Sequence, residues 1–364
     1  MDPTRAGVLA VGAASAAALV AVSFYTPPNE RVAADAGSLA GTLNGAGSSA
    51  QEAAQGAWQA GFQTLNPRAT VNYDPVGSGG GREQFIAGGV AFAGSDAFLS
   101  SDEGELAAAE RQCGAPAIEI PNYVSPIAVI YNVEGVDDLR LSPQVLAAIF
   151  NGQIRTWDDP RIAEDNPDAD LPDTRVTPVH RADDSGTTDN FTEYLAQAGG
   201  KAWPHDLDGV WPVKSDEAGQ GTSGVVSAVR NGRGTIGYAD VSQAGDLPVA
   251  EVRVGQDYVG PTPEAAARIL EVSERVEGRS EGDMAYELDR ATQESGVYPI
   301  VLTSYLIACP TYSDARTAEL VKRYLTYIVS TEGQQTSAES AGSAPLSPEI
   351  QEQAMNVVEG ITAR

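Results

Sequence analysis

Val71-Asn72-Tyr73-Asp74-Pro75-Val76-Gly77-Ser78-Gly79-Gly80-Gly81 joins an alternating run to a cluster of serine and glycine. Alternation predicts a strand, because successive strand side chains face opposite sides of a sheet. Upstream, Ala54, Ala57, Trp58, Phe62 and Leu65 recur at helical spacing. Residues 35–122 therefore read as strand, helix, strand, helix, strand, which predicts an α/β fold. Working outward, residues 127–131 form an apolar run suited to a buried strand, and 144–150 a short helix that stops at Asn151-Gly152. Residues 158–173, rich in Pro, Asp and Asn, read as a surface loop. Residues 225–229 predict a helix before a strand over 235–241. The segment 265–288 is charged and reads as an outer, partly helical region. Residues 298–308 predict one apolar strand, and 317–330 an amphipathic helix with Leu320, Val321, Tyr324 and Leu325 on one face. No repeat of fixed period is present.

Four times, a small hydroxyl-and-glycine cluster leads into a helical segment. These are Gly45-Ala46-Gly47-Ser48-Ser49, Gly77-Ser78-Gly79-Gly80-Gly81, Asp184-Ser185-Gly186-Thr187-Thr188 and Gly219-Gln220-Gly221-Thr222-Ser223-Gly224. A helix start offers backbone N–H groups without intrahelical partners and the positive end of the helix dipole, so each cluster is a candidate anion-facing terminus. Ser and Gly are also ordinary capping residues, and Ser49 with Glu52 has the spacing of a capping box. It is the recurrence of the pattern that points to anion binding.

Composition narrows the function classes. At 364 residues and 42% hydrophobic, the chain can bury a sizeable core and exceeds the usual size of one domain. A net charge of -27 removes the basic footprint that nucleic-acid binding requires. A small anion is not excluded, because exposed charges farther than a Debye length of roughly 8 Å are screened at physiological salt. His180 and His205 are the only histidines, which argues against a His-rich metal site. Gly232, Gly234 and Gly237 satisfy G-x-G-x-x-G, but a helix precedes them and a strand follows, the reverse of a dinucleotide fingerprint. No P-loop occurs, and the G-x-S-x-G string Gly278-Arg279-Ser280-Glu281-Gly282 lies in the charged segment 265–288, outside the strand-turn-helix context of a nucleophile elbow. His180, Asp183 and Ser185 lie too close in sequence to converge easily as a triad. Binding without catalysis, cofactor or metal is the simpler account.

Residues 1–34 differ from the rest. After Arg5, a small-residue apolar run over 6–22 is followed by Ser23-Phe24-Tyr25 and the breakers Pro27 and Pro28, the order of an export signal. A cleaved signal peptide is expected ahead of a retained N-terminal anchor, with small-residue cleavage sites after Ser23 and Ala34. Export suits the two cysteines, Cys113 and Cys309, which in an oxidising compartment are expected to form a disulfide.

Taken together, the motifs resemble the phosphate-binding subunits of the high-affinity phosphate ABC importer. The resemblance is carried by Gly45-Ala46-Gly47-Ser48-Ser49-Ala50, Val76-Gly77-Ser78-Gly79-Gly80-Gly81, Ala93-Gly94-Ser95-Asp96-Ala97 and Arg181-Ala182-Asp183-Asp184-Ser185-Gly186-Thr187. Ile149-Phe150-Asn151-Gly152 through Trp157-Asp158-Asp159-Pro160, residues 221–226, Gly234-Thr235-Ile236-Gly237-Tyr238 and Tyr298-Pro299-Ile300 continue it in family order over about residues 43–334. It implies a two-lobed fold of the periplasmic-binding-protein type with the ligand in the interlobe cleft. Residues 35–122 and 299–364 would make lobe one and 123–298 lobe two. Carried over position by position, Ser49, the Ala50 N–H, Ser78, Asp96, Arg181, Ser185, the Gly186 N–H and Thr187 would surround phosphate, with Asp183 orienting Arg181. Arg offers a planar fork for phosphate oxygens, and hydroxyls and helix-start N–H groups add neutral donors.

The implied partners are inorganic phosphate and the importer's permease subunits. A monomer is expected, at the outer face of the cytoplasmic membrane, the cell surface or the periplasm. The chain departs from the family in having no lipid-anchoring cysteine near its N-terminus, and in placing Ala50 where an aromatic residue sometimes follows the hydroxyl. Two alternatives remain beside phosphate capture: a binding protein for another oxyanion, sulfate or molybdate, and a secreted phosphatase. Asp96 separates the first, because a fully deprotonated anion would meet its carboxylate unfavourably.

Overall fold

The computed structural model describes residues 39–364 apart from 102, 207–208 and 215–216. The expectations for the export signal and its cleavage sites lie outside those residues. Among the described residues, no helix is long and apolar enough to cross a membrane.

The expected α/β rhythm is present, with one more helix than the five elements read from sequence. Strand β1 (Ala40–Gly47) leads to helix α1 (Glu52–Leu65), strand β2 (Arg68–Asp74), helix α2 (Ser78–Ile86), strand β3 (Phe92–Ser95), helix α3 (Glu105–Cys113) and strand β4 (Ile118–Asn132). Helix α1 turns Ala54, Trp58 and Phe62 into the core, the face its spacing marks out. Strands β1, β2 and β3 run parallel, with β1 between the other two.

Strand β4 is three times the length of the apolar run read from sequence. Pro121 and Pro126 conceal it, since proline cannot donate to a ladder and demotes a candidate strand. The fold accommodates both prolines because the first half of β4 pairs on one side with β8 (Val301–Ala308), while its other edge makes isolated bridges from Glu119 to Asp283 and from Val124 to Ala344. From Ile127 onward β4 pairs instead with β7 (Thr235–Asp240).

The middle of the chain adds α4 (Pro143–Phe150), α5 (Pro160–Asp165), β5 (Thr177–Arg181), α6 (Gly186–Gly199), β6 (Glu217–Gly219) and α7 (Gly221–Asn231), which precede β7. The main sheet has the order β2-β1-β3-β8-β4-β7-β5-β6, and β4 is the strand shared by its two halves. A small sheet of Asp257–Val259, Glu251–Val254 and Arg140–Leu141 lies apart. After β8, the chain ends in α8 (Ala315–Val329), α9 (Thr331–Ala341) and α10 (Pro348–Glu359). Helix α8 buries Leu320, Val321, Tyr324 and Leu325 as expected, and Phe62 meets Tyr324 edge-on at 5.1 Å.

Two sequence expectations need correction. The loop 158–173 contains α5, because Asp159 caps it by accepting from the Arg161 N–H and Pro160 occupies its first position. The segment 265–288 is less helical and less external than its charge suggests. It holds the short helix Pro263–Ala267 and the paired strands Glu274–Arg275 and Tyr286–Glu287, and it buries Ile269, Met284 and Ala285. Arg279 pins it by pairing with Glu119 and Asp283. Cys113 and Cys309 form a disulfide that ties the end of α3 to the end of β8, across 196 residues of sequence.

Candidate functional site

The carboxyl ends of β1, β3, β5 and β6 open toward one place, where helix starts follow within a few residues. This is the usual position for ligands in open α/β sheets. Ser48 and Ser49 lie between β1 and α1, Ser78 begins α2, and Asp96 follows β3. Arg181 ends β5, Ser185 caps α6, and Thr222 lies in the first turn of α7. The flanking glycines have physical reasons. At Gly77 φ is +100°, and an added Cβ would stand 2.6 Å from Asp183 Oδ2. At Gly186 a Cβ would stand 2.6 Å from Ser78 Oγ and 2.9 Å from the Asp96 Cβ.

Of the expected residues, Ser78, Asp96 and Gly186 lie against one another, Arg181 pairs with Asp183, and Ser49 and Arg181 both reach Thr222. Arg181 is 3% exposed, and Asp183 holds its guanidinium through two contacts, Nε to Oδ1 at 2.8 Å and Nη2 to Oδ2. Nη1 of Arg181 then points to Thr222 Oγ1 at 3.4 Å. Asp183 Oδ1 also accepts from the Gly221 N–H at 3.0 Å, which links the Arg181 loop to the start of α7. From the opposite side, Ser49 Oγ lies 3.1 Å from Thr222 Oγ1 and accepts from the Thr222 N–H at 3.1 Å. Asn190 of α6 donates to the Asp96 carbonyl at 2.6 Å. Thr187 is buried, and its hydroxyl has no hydrogen-bond partner in the protein. Orphaned polar groups of this kind are rare in folded proteins and are expected where a ligand binds.

Asp96, 2% exposed, is a carboxylate surrounded by hydroxyl donors. Ser48 donates to its Oδ2 at 2.5 Å and Ser304 to its Oδ1 at 2.6 Å, while Ser78 Oγ lies 3.5 Å from Oδ2. Burial pushes its carboxyl above the ordinary value. The hydroxyls of Ser304, Ser48 and Ser78 and the charge of Arg181 oppose that shift by stabilising the ionised form. A cavity of about 460 Å³ opens beside it, lined among others by Arg82, Asp184, Asp189 and Arg290.

The capping box expected at Ser49 and Glu52 does not form. Ser48 Oγ instead accepts from the Ala50 N–H at 3.0 Å, which leaves Ser49 to face Thr222. The triad geometry is also absent among the described residues: His180 Nδ1 meets the Arg181 carbonyl, its ring stacks on Trp211, and Asp183 is committed to Arg181. Three residues were missed by the sequence reading. Thr222 sits inside a flagged cluster and could have been found there. Ser48 is displaced by one position from the residue chosen. Ser304 carries no local signal, because it lies in an apolar strand and reaches Asp96 only through the pairing of β8 with β3 and β4.

Residues 32–332 match the PBP superfamily domain. The chain belongs to this family. Relatives within the superfamily include the "Phosphate-binding protein PstS 3" of Mycobacterium tuberculosis (strain ATCC 25618 / H37Rv), 37% identical over 270 residues that cover 72% of each chain. Among solved structures, a high affinity periplasmic phosphate-binding protein bound with phosphate superposes with a TM-score of 0.67 at 21% identity, over 88% of this chain and 99% of that one. A phosphate-binding protein from Stenotrophomonas maltophilia gives 0.68 at 18% identity, over 87% and 93%. The fold of this PBP-superfamily chain is accordingly the two-lobed α/β one, and β4 is the strand common to both halves of its sheet.

Proposed function

We propose that the protein captures inorganic phosphate in this cleft and delivers it to an ABC importer. The observation that carries the reading is a buried set of a guanidinium held by Asp183, several hydroxyls and helix starts gathered near the Asp96 carboxylate. Such a set suits an oxyanion that still carries a proton. Arg181, Ser49, Ala50, Ser78, Ser185, Gly186 and Thr187 bind the oxygens, and Thr222 joins them. Asp96 accepts a hydrogen bond from the proton that phosphate retains at neutral pH. Sulfate has none to donate and would leave the carboxylate facing another negative charge. Asp183 holds Arg181 flat against the ligand.

Residues 39–122 and 299–364 act as one lobe and 123–298 as the other, with the 274–286 segment folded back against Leu99, Glu119 and Tyr305 of the first. Closing the lobes brings Ser49 to Thr222 and Asn190 to Asp96, a hinge transition around the anion. The protein acts outside the cytoplasmic membrane as a monomer, meets the permease subunits there, and releases phosphate unchanged.

Thermal melting with added anions tests this reading. A ligand that binds only the folded state adds about 4 kcal/mol at a thousandfold excess over Kd. Phosphate raises the melting temperature, sulfate barely does, and in Asp96→Asn the gap between the two shrinks. Equal shifts by both anions in the unmodified protein would overturn the assignment.

A further inference from the structure

Arg290 is a wholly buried cation that the proposed site does not use, and its hydrogen bonds lead to the cleft. Nε donates to Glu193 Oε2 at 2.6 Å, and Nη1 donates to the carbonyls of Pro299 at 3.2 Å and Val301 at 2.9 Å, where β8 begins. Nη2 donates to Oδ1 of Asn190, which is itself buried. Taking a guanidinium out of water is costly unless its donors are met, so four acceptors around one fork hold Arg290, and what it binds, in one place.

The contact with Arg290 fixes which way the Asn190 amide points. A guanidinium only donates, so the amide oxygen faces it and the amide nitrogen turns the other way. There Nδ2 donates to the Asp96 carbonyl at 2.6 Å and to the Gly186 carbonyl at 2.7 Å. Asn190 thus ties the first turn of α6 to the residue that follows β3. The two backbones are already close, since a Cβ on Gly186 would stand 2.9 Å from the Asp96 Cβ and 3.0 Å from the Ala97 N. The same residues border the cavity of about 460 Å³. Asp96, Ala97 and Asn190 belong to its wall, with the rings of Phe98 and Tyr305, whereas Ser49, Ser78, Arg181, Ser185, Gly186 and Thr187 do not. Asn190 and Asp96 therefore stand between the anion-binding donors and a space large enough for an organic substituent.

We propose that Asn190, fixed by Arg290, is a specificity-determining residue: it closes the phosphate site off from the neighbouring cavity and so excludes phosphate monoesters. The inference rests on the phosphate reading. A free phosphate ion fits behind the closed tie. In a monoester one oxygen carries carbon, and that substituent has to pass where the Asn190 amide joins the Asp96 and Gly186 carbonyls. The ester must break both hydrogen bonds or leave the cleft open, and either loses the contacts that closure makes. Arg290 is the positioning residue, because without it the amide oxygen loses its partner and the amide can turn away from the two carbonyls.

The test is calorimetric titration with inorganic phosphate and with methyl phosphate at about pH 5. The second ionisation of a phosphate monoester lies at about 6, so both anions keep a proton there and Asp96 does not separate them. The unmodified protein binds methyl phosphate about a hundredfold more weakly than phosphate, the scale on which a closed pocket rejects one extra carbon. In Asn190→Ala the tie is lost and the site opens to the cavity: phosphate weakens about tenfold, methyl phosphate does not, and the gap narrows to about tenfold. Asn190→Asp fills the same space but cannot donate to the carbonyls, so both anions weaken and the gap stays. Arg290→Lys still pairs with Glu193 but lacks the planar fork, and narrows the gap part of the way. Asn190→Ser takes the place of Asn190→Ala if that variant does not fold. Equal affinity for the two anions in the unmodified protein overturns the proposal, as does a gap that Asn190→Ala leaves unchanged or that Asn190→Asp narrows as much. Absence of phosphate binding in the unmodified protein instead overturns the phosphate reading, and this proposal with it.

Discussion

Arg181 is the guanidinium on which the proposed phosphate site rests. It is buried, and Asp183 satisfies one face of its fork while the other meets Thr222. In Arg181→Ala the anion loses its charged partner and Asp183 is left buried without one. Losing one member of a buried charge pair typically costs about 2 to 5 kcal/mol. Calorimetric titration should show phosphate affinity falling by that amount, and the far-ultraviolet circular dichroism of the variant should stay that of the unmodified protein. Lysine at the same position restores the charge without the planar fork, so Arg181→Lys should recover only part of the affinity. The residue chemistry of the site was largely legible, because Arg181, Asp183, Ser185 and Thr187 fall within seven consecutive positions. Ser304 was not, since it reaches Asp96 from 208 positions away.

At the scale of elements, the site is built from the first turns of helices, and its tightness depends on what those turns lack. Gly186 opens α6 against Ser78 and Asp96 with no room for a methyl group. Gly186→Ala improves the intrinsic helix propensity by up to about 1 kcal/mol, so loss of helix cannot explain a defect in this variant. Phosphate affinity should nonetheless fall by about tenfold or more, because the two sides of the cleft can no longer meet. A melting temperature without ligand that is unchanged or higher, together with the raised Kd, would establish this; unchanged affinity would show that Gly186 does not lie at the closing surface. Element existence was readable from period, as α1 and α8 show. Element length was not: β4 runs through two prolines that its one-sided pairing tolerates, and α5 hides in a loop-like composition.

For the whole molecule, two features set stability beyond the packed core. The Cys113–Cys309 bond joins residues 196 positions apart, and a disulfide typically contributes roughly 2 to 4 kcal/mol. Denaturant titration with and without reductant should show a lower midpoint for the reduced protein by an amount in that range. The second feature is Asp189, whose carboxyl is pushed up to about 6 by burial first and by Glu193 next, with Arg82 and Arg290 opposing. Its folded value lies above its unfolded one, so the stability it contributes is complete below about pH 4 and is lost as pH rises through about 6. Asp189→Asn should therefore gain on the unmodified protein across that window, by up to about 2 to 3 kcal/mol. Melting temperatures of the two proteins between pH 4 and pH 8 check it, and parallel curves would refute it.

Whatever depends on near neighbours in the chain was determined by the sequence alone: the α/β rhythm, the serine and glycine clusters at helix starts, and the motif that places Asp183 beside Arg181. Helix and strand periods and caps act over a handful of residues, so their signals survive without a fold. The tertiary structure decided which hydroxyls face which partners. Ser48 rather than Ser49 turns to Asp96, Ser49 meets Thr222 across 173 residues, and Ser304 reaches Asp96 from within an apolar strand. Those meetings depend on sheet register, where a shift of one residue turns a side chain to the opposite face, and no local pattern records a register set by strands so far apart.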